Sequence, residues 1–84
     1  MKEFEKLKLL HEEAHKHKYS IYNIHFCNAG VGIQFYDWNK HDKLRISSED
    51  DGHWKEECLF TNKYYSTAKE AIVEETKRLQ EKKL

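Results

Sequence analysis

Proline is absent from the 84 residues and glycine occurs only three times. No proline- or glycine-rich linker therefore divides the chain, and residues 1–84 are expected to form a single domain. The scarcity of glycine also excludes a phosphate-cradling loop or a dinucleotide fingerprint, which need bare backbone next to the ligand. Cysteine is nearly absent too. Cys27 and Cys58 do not form a C-x-x-C pair, which argues against a redox motif or a secreted disulfide framework. They are expected to be small, buried, unbridged thiols. A zinc site built from His25 and Cys27 with His53 or Cys58 would need the first and last strands side by side, and a meander separates them.

No apolar run approaches the length of a membrane span, and the N-terminus is not a basic-then-apolar leader. The expectation is a cytoplasmic protein without a membrane partner. Net charge is missing as well: 15 Lys+Arg balance 15 Asp+Glu. A dedicated nucleic-acid coat would carry a basic surplus, so nucleic acid is not the expected partner.

Charge itself is plentiful. Charged residues make up 36% of the chain and mean hydropathy is −1.00, close to the composition of disordered proteins. Two features favour folding. Aromatics reach 13%, and the balanced charge leaves little self-repulsion to oppose collapse.

Hydrophobic period then places the elements. Phe4, Leu7, Leu10 and Ala14 recur every three or four residues, which predicts an amphipathic helix over residues 2–18. Residues 19–27 switch to aromatic and β-branched types with a period of two, and residues 31–38 do the same. Asn28-Ala29-Gly30 supplies turn chemistry between them, so the pair reads as a β-hairpin. In the second strand Val31, Ile33 and Phe35 share one side, and Gln34, Tyr36 and Trp38 the other. After a polar connection over residues 37–43, Leu44-Arg45-Ile46 and residues 53–60 read as a second hairpin around Glu49-Asp50-Asp51-Gly52. Thr67-Ala68-Lys69-Glu70 matches a capping box. It opens a helix with Ala68, Ala71, Ile72 and Leu79 on one stripe and cations toward its end. The expected fold is α+β: a two-layer domain ordered α-β-β-β-β-α, with both helices on one face of a four-stranded antiparallel sheet.

Candidate chemistry is sparse. His11-Glu12-Glu13-Ala14-His15 is a literal H-E-x-x-H match, the spacing that sets two imidazoles on one helix face to hold zinc beside a general base. Only ten residues precede it, and no further His or Glu follows at a recognisable spacing. Two boundary histidines on a surface helix are the simpler expectation, with no metal, no other cofactor and no catalytic residue. Glu75 falls inside the apolar stripe of the last helix. The simpler expectation is that the helix projects past the sheet there and its stripe is wet; otherwise Glu75 is a buried carboxylate paired with a His, Tyr or Lys from the sheet.

The aromatics Tyr19, Tyr36, Trp38 and Trp54 remain. If Val31, Ile33 and Phe35 face the helices, Tyr36 and Trp38 face away, where a two-layer fold provides no cover. An exposed aromatic sheet face serves to bury against protein or to stack single-stranded bases. Stacking needs cations for the phosphates, whereas Glu49, Asp50, Asp51, Glu56 and Glu57 surround the predicted last strand. The expectation is a non-enzymatic protein-interaction module. Its surface would comprise Tyr36, Trp38 and Trp54 rimmed by Lys40, Lys43 and Lys55, and it would bind another protein or a second copy as a homodimer. Size and composition also fit a phage or mobile-element accessory protein. A single-stranded nucleic-acid module and a zinc-dependent hydrolase using His11 and His15 are the alternatives.

Overall fold

A computed structural model describes residues 3–47 and 54–82, and its elements begin where the hydrophobic period changes. Helix α1 spans Glu3–Lys16. Leu10 and Ala14 on its stripe are fully buried and Leu7 is partly so, but Phe4 is 76% exposed, because the stripe meets its neighbours only beyond the first turn. The helix closes with His17 and Lys18 amides donating to the Ala14 and His15 carbonyls. Lys18 sits at φ 61°, the left-handed conformation that reverses the chain into the sheet.

Strands β1 (Tyr19–Cys27) and β2 (Gly30–Asp37) form the expected hairpin around Asn28 and Ala29. Gly30 is required there. Its φ is +123°, and a Cβ would stand 2.3 Å from the Tyr65 carbonyl oxygen.

The second hairpin is not formed. Asp37 ends β2 and its Oδ1 accepts from the Asn39 and Lys40 amides at 3.0 and 3.2 Å, which caps a helix. Helix α2 therefore spans Trp38–Ser47 and takes in Leu44, Arg45 and Ile46, which sequence pattern assigns to a strand. A single turn, α3 (Trp54–Glu57), replaces the start of the other predicted strand. Strand β3 runs Leu59–Tyr65, five residues further than predicted. The predicted turn at Glu49–Gly52, together with His53, lies outside the described residues. Helix α4 (Ala68–Glu81) starts at Thr67, whose hydroxyl accepts from the Glu70 amide at 3.1 Å. Among the described residues the order is α-β-β-α-α-β-α, with three strands where four were expected.

The sheet is an antiparallel meander, β1-β2-β3, with β2 central. Both long terminal helices lie on one side of it, as expected. Leu10 and Ala14 of α1, Val31, Ile33 and Phe35 of β2, and Ala71, Ile72 and Leu79 of α4 make one core. Burying each of its large side chains contributes roughly 1.5–3 kcal/mol. Among the described residues no helix is long and apolar enough to cross a membrane.

Candidate functional site

The burial of Val31, Ile33 and Phe35 under the helices fixes the direction of the other β2 side chains, since neighbours alternate, and the ladders carry that direction to β1 and β3. Ladder register then defines three rows across the opposite face. Ser20, Tyr36 and Leu59 form one; Asn23, Gln34 and Thr61 the next; His25, Gly32 and Tyr64 the third. Tyr22 joins them. A bulge between Ile21 and Asn23 breaks the alternation of β1, so that Ile21 and Ile24 both reach the core. Tyr22 is thrown outward and stacks on Tyr36 at 6.4 Å. None of these ten residues is Lys, Arg, Asp or Glu.

The aromatic side chains are held in place. Tyr36 is half-buried, with the Trp38 ring at 4.9 Å and the His41 ring at 5.5 Å. Its hydroxyl hydrogen-bonds His41 Nδ1. Burial, and then the adjacent Cys58 thiol, hold the Tyr36 hydroxyl above its ordinary pKa. Trp38 donates its indole N–H to Ser20 Oγ, which leaves the ring 43% exposed with its polar edge satisfied. Tyr64 lies against the bare backbone of Gly32, where a Cβ would stand 3.0 Å from its ring and 2.7 Å from Thr61 Cγ2. His25 meets Tyr64 edge-on at 6.1 Å. Tyr22 is 61% and Tyr64 37% exposed.

Of the residues predicted for this surface, Tyr36 and Trp38 come together directly, at one end of the sheet. Lys40 and Lys43 are exposed on α2 beside them. Trp54 and Lys55 open α3, and their side chains lie outside the described part of the structure. Tyr19 belongs to the other side: its ring packs on Phe35 and Phe60. Sequence reasoning missed Tyr22, His25, His41 and Tyr64. Tyr64 carried a signal, because Tyr64-Tyr65 are strand formers next to Phe60 and Thr61.

His11 and His15 do share one face of α1, with ring centroids 4.1 Å apart. Both are exposed, as is Glu12. Among the described residues no three His, Cys, Asp or Glu side chains are grouped to hold a metal ion. Neither thiol forms a disulfide; both lie on the two outer strands or their approaches, and only Cys58 is buried. Cys27 is exposed where β1 runs out into the turn, so the expectation of two core thiols fails there. Glu75 departs from the simpler expectation as well. It is fully buried; its Oε2 accepts from Arg78 Nε at 2.9 Å and from the Tyr65 hydroxyl at 3.3 Å. The helix does not project past the sheet at that turn, and the partners are Arg78 of the same helix and a tyrosine of β3.

Compared with known proteins, the chain matches no family model, no curated protein and no solved structure.

Proposed function

We propose that the chain is a non-catalytic interaction module whose sheet face opposite α1 and α4 binds a protein surface, that of a partner or of a second copy. The observation that carries this reading is the makeup of the face: ten residues rich in Tyr, Asn, Gln, Ser and Thr and free of full charges. Tyrosine offers large contact area at a small cost in conformational entropy, and small polar side chains adapt their hydrogen bonds to a partner. Absence of charge lowers the desolvation cost of burying the patch. Among the described residues, a nucleic-acid backbone would instead meet cations at the rim, at Lys40 and Lys43. The H-E-x-x-H alternative is disfavoured by the exposure of His11 and His15 on a convex helix surface, with no third ligand beside them among the described residues. A cytoplasmic setting suits the two unbridged thiols, and the profile of a phage or mobile-element accessory protein remains the broader reading of size and composition.

Burying the exposed parts of Tyr22, Trp38 and Tyr64, at roughly 1.5–3 kcal/mol for a fully exposed side chain, contributes part of the ~8 kcal/mol of a micromolar complex. The polar residues of the face contribute through hydrogen bonds to the partner. The test pairs sedimentation over a micromolar concentration range with affinity capture, using wild type and a Trp38→Ser/Tyr64→Ser variant. Wild type should either dimerise with concentration or capture a protein that the variant does not. A wild type that stays monomeric and captures the same proteins as the variant contradicts the proposal. Submicromolar binding of a single-stranded oligonucleotide that is lost in the variant would replace it with base stacking.

A further inference from the structure

The Glu75 carboxylate is an expensive feature in so small a core. Its Oε2 is shared by Arg78 and Tyr65, while Oε1 is buried without a partner. An apolar side chain of similar volume would pack at the same position without that desolvation cost. What the carboxylate accomplishes is to fix Arg78. With Nε anchored at 2.9 Å, the guanidinium is held in one orientation while the side chain as a whole remains 51% exposed. The terminal amino groups of the fork lie beyond the anchored Nε.

Arg78 lines a cavity of about 270 Å³ on the helix side of the sheet, together with Tyr19, Phe60, Asn62, Leu79 and Lys82. Lys82 is positioned too. Its ammonium donates to the Tyr19 hydroxyl and lies 4.8 Å above the centre of that ring. Tyr19 and Phe60 meet edge-to-face at 5.0 Å and, with Leu79, give an apolar floor. Asn62 adds a neutral amide. The carboxyl end of α4 would oppose an anion here, but the Leu79 carbonyl accepts from His17 Nε2 at 2.9 Å and from the Lys82 amide at 3.3 Å. Among the described residues two cations line the space and no carboxylate does. Counting Glu75 behind Arg78, one net positive charge remains.

We propose that this cavity is a binding site for a small organic anion, with a carboxylate or phosphate head on an apolar or aromatic body. The Arg78 fork and the Lys82 ammonium take the head, Asn62 donates to it, and the body lies on Tyr19, Phe60 and Leu79. Glu75 is the positioning residue for Arg78. The site is separate from the sheet face and does not depend on its reading.

Amide spectra of the full chain titrated with phenyl phosphate and with phenylacetate test the site, with inorganic phosphate and benzyl alcohol as controls. Saturable shifts are expected at Asn62, Arg78, Leu79 and Lys82 with at least one aromatic anion, and the tighter of the two arms identifies the head group. Arg78→Lys keeps the charge and loses the fork, and should weaken that binding about tenfold; Lys82→Gln, at an exposed position, should do the same. The spectra of both variants without ligand report whether the fold is retained. The proposal is overturned if neither anion gives saturable shifts, if either control matches them, or if folded Arg78→Lys and Lys82→Gln both titrate like wild type.

Discussion

Single atoms decide several properties of this protein. Gly32 is bare because the Tyr64 ring and Thr61 occupy the space a Cβ would take, at 3.0 and 2.7 Å. Gly32→Ala is expected to cost about 1–2 kcal/mol in urea unfolding as the side chains give way. Gly30→Ala should cost more, since its obstacle is a backbone oxygen at 2.3 Å and its φ is +123°. Thiol chemistry should separate the two cysteines: in native protein one thiol, Cys27, reacts rapidly with a disulfide reagent, and the second reacts only on unfolding. Two fast thiols would contradict the burial of Cys58. Glu75→Leu removes a carboxylate with an unpartnered oxygen but also the acceptor of the Tyr65 hydroxyl and of the half-exposed Arg78, so the effects oppose and stability should stay within about 2 kcal/mol of wild type. A large loss there would make Glu75 a stabilising residue instead of a positioning one. Tyr36 and Tyr65 are both held above the ordinary tyrosine range, chiefly by burial. A raised folded-state value favours the neutral hydroxyl, so this stability is fully present below about pH 10, the ordinary tyrosine value, and is lost as pH rises through the folded values. Stability curves of wild type and Tyr36→Phe should therefore converge in shape at neutral pH and diverge in the alkaline range.

Elements are governed by their ends, and the ends explain what the sequence disclosed. Thr67 with Glu70 announces α4, and the Thr67 hydroxyl does accept from the Glu70 amide. Asn28-Ala29-Gly30 likewise announces the first hairpin. Asp37 carried a helix-capping signal of the same kind, yet the short run Leu44-Arg45-Ile46 reads equally as strand or helix, because three residues span too little of either period. The bulge at Tyr22 had no sequence signal; it is imposed by the need to bury both Ile21 and Ile24. That single shift moved Tyr22 onto the open face, and the displaced β3 moved Tyr64 there, so half of the aromatic surface was illegible. Tyr36 was legible because β2 keeps strict alternation, whereas Trp38 opens α2 and reaches the same face through Ser20 and Tyr36. Asp37→Ala should cost about 1 kcal/mol and loosen α2, carrying Trp38 away from Ser20. Lys18→Gly should gain about 0.5–1 kcal/mol by relieving a left-handed backbone that a side chain disfavours. Thermal melts of the two variants check both signs.

At the scale of the whole molecule, two helices pack on one side of a three-stranded sheet, and the described ladder residues of the other side carry several rings and no full charge. Trp38 and His41 of the short α2 cover the end at Tyr36. The helices have their own outward groove, lined by Lys6, Leu9, Val73 and Thr76, which provides an internal contrast. The most direct measurement follows backbone amide shifts as the complex forms, by raising the protein concentration or by adding the captured partner. The shifts should concentrate at Ser20, Asn23, His25, Gln34, Thr61 and Tyr64, with α1 and α4 unmoved. Shifts gathered at Lys6, Leu9, Val73 and Gln80, with the sheet silent, would place the interaction on the helices and contradict the account.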